Sequence, residues 1–111
     1  MFAYLIRRTP VAVVAALAAV TLGAAAPAPS VITIGNFTFA APVLTVPVGT
    51  TVTWVNGDDV PHTVVATDKS FRSKVLDTDD RFAFTFTRAG TYDYFCSIHP
   101  HMTGKVVVKA P

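Results

Sequence analysis

The stretch Ala89-Gly90-Thr91-Tyr92-Asp93-Tyr94-Phe95-Cys96, continued by Ser97-Ile98-His99-Pro100-His101-Met102 and closed by Gly104-Lys105-Val106-Val107-Val108, decides how the rest of the chain reads. Side chains alternate across a β-strand, so Tyr92, Tyr94 and Cys96 share one face; with the tyrosine rings packed inward, the thiol also points inward at the strand's end. Phe95 then faces outward. The next residues must turn over the end of the fold before Val106 to Val108 re-enter a sheet, with Pro100 and Gly104 helping to shape that turn. The turn carries His99 and Met102. A thiolate, an imidazole and a thioether gathered in one short loop are a copper donor set: soft sulfur favours the reduced ion and nitrogen keeps the oxidised ion bound.

Outward from this stretch, the chain breaks into short segments rich in Val, Thr, Phe and Tyr, punctuated by Gly, Pro and Asp. The segments 31–34, 37–40, 43–46, 51–56, 62–67, 81–87, 90–96 and 105–109 read as strands, with Asn56-Gly57 and Ala89-Gly90 as turn signals and no convincing helix. About eight strands at this spacing predict an all-β sandwich or barrel. The clearest alternation sets Phe82, Phe84 and Phe86 on one face, as core and not as a stacking platform. Residues 68–80 are charged and poorly periodic, which reads as a surface excursion between two sheets.

The beginning of the chain has a different character. Arg7 and Arg8 precede an apolar run over 11–22 that ends in Gly23-Ala24-Ala25-Ala26. This pattern is that of a secretory signal peptide, read here over 1–25 and followed by an Ala/Pro spacer over 26–30. The run is short of the roughly 20 apolar residues of a membrane anchor, so no stable membrane insertion of the mature chain is expected. Thr9-Pro10 matches the twin-arginine signal poorly, which favours the general secretory route to the periplasm. Without the leader, seven Lys and Arg face seven Asp. A near-neutral domain over 31–111 with no basic cluster argues against nucleic acid. A single cysteine in an exported chain has no internal disulfide partner and is left as a free thiol, an intermolecular bridge or a metal ligand.

A copper site needs a second imidazole from elsewhere, and of the three histidines His62, after Asp58-Asp59-Val60-Pro61, begins a strand from which it can reach the same end of the fold. His62, Cys96 and His99 in a trigonal plane with a long axial Met102 contact are the ligands of a blue-copper electron-transfer centre. Asp58 and Asp59 read as turn residues that would bias His62 if they lie close to it. His101 reads as a solvated loop residue, Trp54 and Tyr92 as core and corner packing, and Asn36-Phe37-Thr38 as a chance match to a glycosylation acceptor.

Trp54-Val55-Asn56, Ala89-Gly90-Thr91-Tyr92-Asp93-Tyr94 and the two-residue spacers of Cys96-x-x-His99-x-x-Met102 before Gly104-Lys105-Val106-Val107-Val108 resemble the cupredoxins, and among them the amicyanin type, whose ligand loop is short. The resemblance implies a Greek-key β-sandwich, one type 1 copper per chain, and electron transfer between redox protein partners in the periplasm, here by a monomer. Two positions depart from it. Thr63 stands where many cupredoxins carry an asparagine that ties the two ligand loops together, so that bond falls to Thr63 and Ser97. His101 replaces a loop phenylalanine that belongs to the family's docking patch, which argues against carrying over amicyanin's own partner.

The rival reading is a periplasmic copper-handling protein or chaperone that passes Cu(I) through the His-Pro-His-Met cluster. An enzyme is not expected, because no second copper set, catalytic carboxylate pair or activated nucleophile is visible.

Overall fold

The computed structural model describes residues 30–111, together with residues 3 and 10–13. The leader read over 1–25 and the spacer over 26–30 fall, but for these few positions, outside the described residues. Among the described residues eight strands form: β1 (Ser30–Gly35), β2 (Thr38–Phe39), β3 (Val43–Pro47), β4 (Thr51–Asn56), β5 (Val65–Ala66), β6 (Arg81–Thr85), β7 (Gly90–Phe95) and β8 (Thr103–Lys109). They make two four-stranded sheets of order β2-β1-β4-β6 and β3-β8-β7-β5. From β2 to β7 the chain changes sheet at every step, and β1 with β4 and β3 with β8 run parallel. This is the expected all-β sandwich with crossing, Greek-key connections. Among the described residues there is no helix.

Alternation builds the core. Val52, Trp54 and Asn56 of β4 and Gly104, Val106 and Val108 of β8 point inward, with the exposed or half-buried residues between them on the outer faces. Phe82 and Phe84 sit opposite Trp54 and Val52 across the β4–β6 ladder, half-buried against the core, and Phe86 is fully buried beyond the strand. Tyr94 lies opposite Gly104 in the β7–β8 register, and a Cβ at Gly104 would run into the Tyr94 ring. Gly104 therefore belongs to the core, where it makes room for an aromatic ring, and not to the turn ahead of it. Tyr92 donates its hydroxyl proton to the Arg88 carbonyl at 2.8 Å, the corner role expected of it.

Two segments differ from expectation for physical reasons. The strand expected over 62–67 is regular only at Val65–Ala66. Pro61 has no N–H, and the N–H groups of Thr63 and Val64 are given to the Cys96 sulfur and the Ser73 hydroxyl instead of a neighbouring strand. The excursion over 68–80 does connect the two sheets, but it also buries Phe71, Ser73 and Leu76. Phe71 packs among Trp54, Phe84 and Phe86, while Leu76 pairs its backbone with that of His62.

Candidate metal centre

His62, Cys96 and His99 meet at one end of the sandwich, where three separate backbone arrangements converge. His62 is placed by reciprocal backbone bonds with Leu76, 3.0 Å and 2.7 Å long. Cys96 follows directly on β7 and buries its thiol as the face of Tyr92 and Tyr94 requires. The loop after it is closed by Cys96 N–H to the Met102 carbonyl at 3.1 Å and Met102 N–H to the His99 carbonyl at 2.9 Å. Met102 is itself buried in the core cluster, whereas His101 is exposed and takes no part in the cluster.

The donor atoms stand close together. Cys96 Sγ is 3.8 Å from Nδ1 of His62 and 3.8 Å from Nδ1 of His99, and the two Nδ1 atoms are 3.2 Å apart. Metal bonds of roughly 2.0–2.1 Å to nitrogen and 2.3 Å to sulfur put the corners of a trigonal plane roughly 3.6 Å (nitrogen to nitrogen) and 3.8 Å (nitrogen to sulfur) apart. The two sulfur–nitrogen separations match these, and the nitrogen pair at 3.2 Å lies somewhat closer, so a small outward shift of one ring lets the residues fit a single ion. Two imidazole nitrogens and a sulfur with converging lone pairs also need a cation or a proton among them, since unpaired acceptors at this distance repel.

Around the triangle, hydrogen bonds fix His62 and Cys96. His62 is fully buried, and its outer nitrogen Nε2 lies 2.7 Å from Asp58 Oδ2. A carboxylate only accepts, so Nε2 carries the proton and Nδ1 is left free toward the site. Asp58 also accepts the backbone N–H groups of Asn36 at 2.6 Å and Phe37 at 2.9 Å. The Phe37 N–H foremost, against the opposing effect of burial and with help from His62 and Asn36, holds the Asp58 carboxyl below its ordinary value. The loop that carries Asp58 is organised by buried Asn56. Its side-chain amide donates to the carbonyls of Val60 and Leu76, both at 2.9 Å, and its side-chain oxygen accepts the Asp58 N–H at 2.9 Å.

On the thiol side, the Thr63 N–H points at Cys96 Sγ from 3.4 Å. Burial pushes the Cys96 thiol up, but the Thr63 N–H, the His62 ring and the N–H groups of His99 and Ile98 together bring it from 9.0 down to about 6. The sulfur is thus prepared to be a thiolate, the form that binds metal. The two ligand segments are joined by Thr63 and Ser97: the Ser97 N–H donates to Thr63 Oγ1 at 2.7 Å, and the two hydroxyls are 2.7 Å apart. This is the pair expected to take over from the missing asparagine.

Asp58 is the residue that sequence reasoning undervalued, because an Asp three residues before Pro61-His62 has the same appearance whether it shapes a turn or orients a ring. The other is Phe37, far away in sequence, whose ring stands perpendicular to His62 at 5.5 Å and to His99 at 4.9 Å between centroids.

A small Greek-key sandwich with a largely buried Cys/His/His triangle at one end defines a class of mononuclear metal protein. Known proteins agree with it. The cupredoxin-like domain family matches residues 9–108, and the chain belongs to that family. Amicyanin of Paracoccus versutus is 40% identical over 84 residues, which are 71% of this chain and 64% of the relative. The chain therefore spans slightly less than two thirds of that relative. Amicyanin-alpha of Methylorubrum extorquens is 37% identical over 103 residues, 86% of this chain and 87% of the relative. Among solved structures, a novel purple cupredoxin from Nitrosopumilus maritimus superposes with a TM-score of 0.69 at 39% identity, covering 72% of this chain and 99% of that one. The cofactor that suits this donor set and family is one type 1 copper ion.

Proposed function

We propose that this chain is a periplasmic one-electron carrier in which His62, Cys96, His99 and Met102 would hold a single copper ion. The observation that carries the reading is the triangle itself, with donor separations of 3.2, 3.8 and 3.8 Å, on segments held by backbone bonds. Bound copper would supply a Cu(II)/Cu(I) couple. The chain's own part is to keep the donors in place, so that little reorganises when an electron is exchanged. Thr63 and Ser97 tie the two ligand segments, Asp58 fixes the tautomer of His62, and the core behind Tyr94 excludes water from the thiolate.

His99 is the half-buried member of an otherwise buried triangle, so its ring is the side of the site offered to a redox partner. The mature domain over 31–111 acts as a monomer after removal of the leader over 1–25, and meets protein partners by transient docking at this end. A reversible one-electron wave on an electrode, with copper retained over repeated cycles, is the expected result. Transfer of copper to a metal-free acceptor faster than oxidation and reduction would contradict the reading in favour of copper handling.

A further inference from the structure

The turn between β1 and β2 consists of Asn36 and Phe37, and both have left-handed backbones, with φ of 50° and 55°. Two-residue hairpin turns of this kind favour Asn-Gly, because the second position is unfavourable for any residue with a Cβ. A bulky phenylalanine there is an outlier. The residue is 49% exposed, so core burial does not offset the strain. What the ring does contact is the metal centre: it is perpendicular to His62 and to His99, at centroid distances of 5.5 and 4.9 Å. The turn is also tied to the site at its tip. One carboxylate, that of Asp58, accepts the N–H groups of both turn residues and the outer nitrogen of His62. The hairpin tip and the buried ligand are therefore parts of one hydrogen-bonded unit, while among the described residues His99 has no comparable hydrogen-bonded support for its ring and is the ring closer to Phe37.

We infer that the Asn36-Phe37 turn is a cap on the metal centre, in which Phe37 is a positioning residue that confines the His99 imidazole and limits exchange of the ion, with Asp58 locking the cap to His62. Backbone strain at a place where it serves a site and not the core is the pattern expected of such a device. The inference rests on the copper reading above for its exchange behaviour, but not for its effect on the His99 ring.

Phe37→Gly tests it, because glycine removes the ring and relieves the positive φ together. A residue of merely structural importance would lower stability on truncation. The cap predicts the opposite combination: unfolding temperature unchanged or raised, and removal of Cu(I) by a chelator faster by about tenfold or more. In the metal-free variant, the His99 ring-proton resonances should lose the shift that the neighbouring aromatic ring imposes and broaden as the imidazole samples other rotamers. Unchanged extraction kinetics together with unchanged His99 resonances would overturn the cap. A wild-type protein with no thiolate-to-copper absorption would overturn the copper reading alone, and the His99 resonances of the metal-free pair would then decide the cap.

Discussion

The Thr63 side-chain oxygen accepts the Ser97 N–H at 2.7 Å while the Thr63 backbone N–H points at Cys96 Sγ from 3.4 Å, so one residue ties the two ligand segments and also solvates the thiolate. Thr63 is 5% exposed. Thr63→Val keeps the shape but leaves the Ser97 N–H without its acceptor, a loss of about 1–3 kcal/mol by the usual cost of orphaning such a group. Denaturant unfolding of the metal-free protein measures it. Equal stability of variant and wild type would mean that the two segments are held by other bonds.

The lowered Cys96 thiol gives a pH dependence of definite sign in the metal-free protein. Its folded value, about 6, lies below the ordinary 9.0, so ionisation favours the folded state. That contribution is fully present above pH 9.0, declines as the pH falls, and is gone below pH about 6. The thiolate ultraviolet band should accordingly titrate near pH 6 in the folded protein and near the ordinary thiol value after unfolding. A folded-state titration close to 9.0 would show that the Thr63 N–H and the His62 ring do not stabilise the anion.

Asp58→Asn tests the orientation of His62. The asparagine side chain lacks the charge that binds the His62 N–H and two backbone N–H groups at once. Copper affinity, measured by competition with a chelator, should fall about 10–100-fold, as is usual when the outer partner of a ligating histidine is lost. An unchanged affinity would show that the ring is oriented without the carboxylate.

Gly104→Ala tests the packing behind the site. The added methyl meets the Tyr94 ring, which is itself wedged among Phe39, Trp54 and Phe71 and has little room to retreat. Overpacking of this kind costs about 1–3 kcal/mol, readable as a lower midpoint of unfolding. No change in midpoint would mean that the β7–β8 pair separates easily.

Much of this was legible in the chain because it rests on short-range periodicity. Alternation across Phe82, Phe84 and Phe86, and across Tyr92, Tyr94 and Cys96, fixes which faces are buried, and the Cys96-x-x-His99-x-x-Met102 spacing needs no long-range knowledge. The exchange of an asparagine tie for Thr63 and Ser97 could be read because both residues adjoin ligands. The breaks at Thr63 and Val64 could not be read, because their N–H groups go to a sulfur and a hydroxyl from distant segments. Phe71 and Leu76 lie among charged neighbours that mask their burial. Asp58 and Phe37 acquire their roles only when the β1–β2 hairpin folds over the His62 loop, a contact between residues more than twenty positions apart.

The most direct test is the visible absorption and EPR spectrum of the domain over 31–111 carrying one equivalent of Cu(II), beside Cys96→Ser. The account predicts an intense thiolate-to-copper band with narrow copper hyperfine splitting in the wild type, and loss of that band in the variant. A pale wild-type protein with an ordinary tetragonal signal, or a variant that keeps the colour, would contradict it.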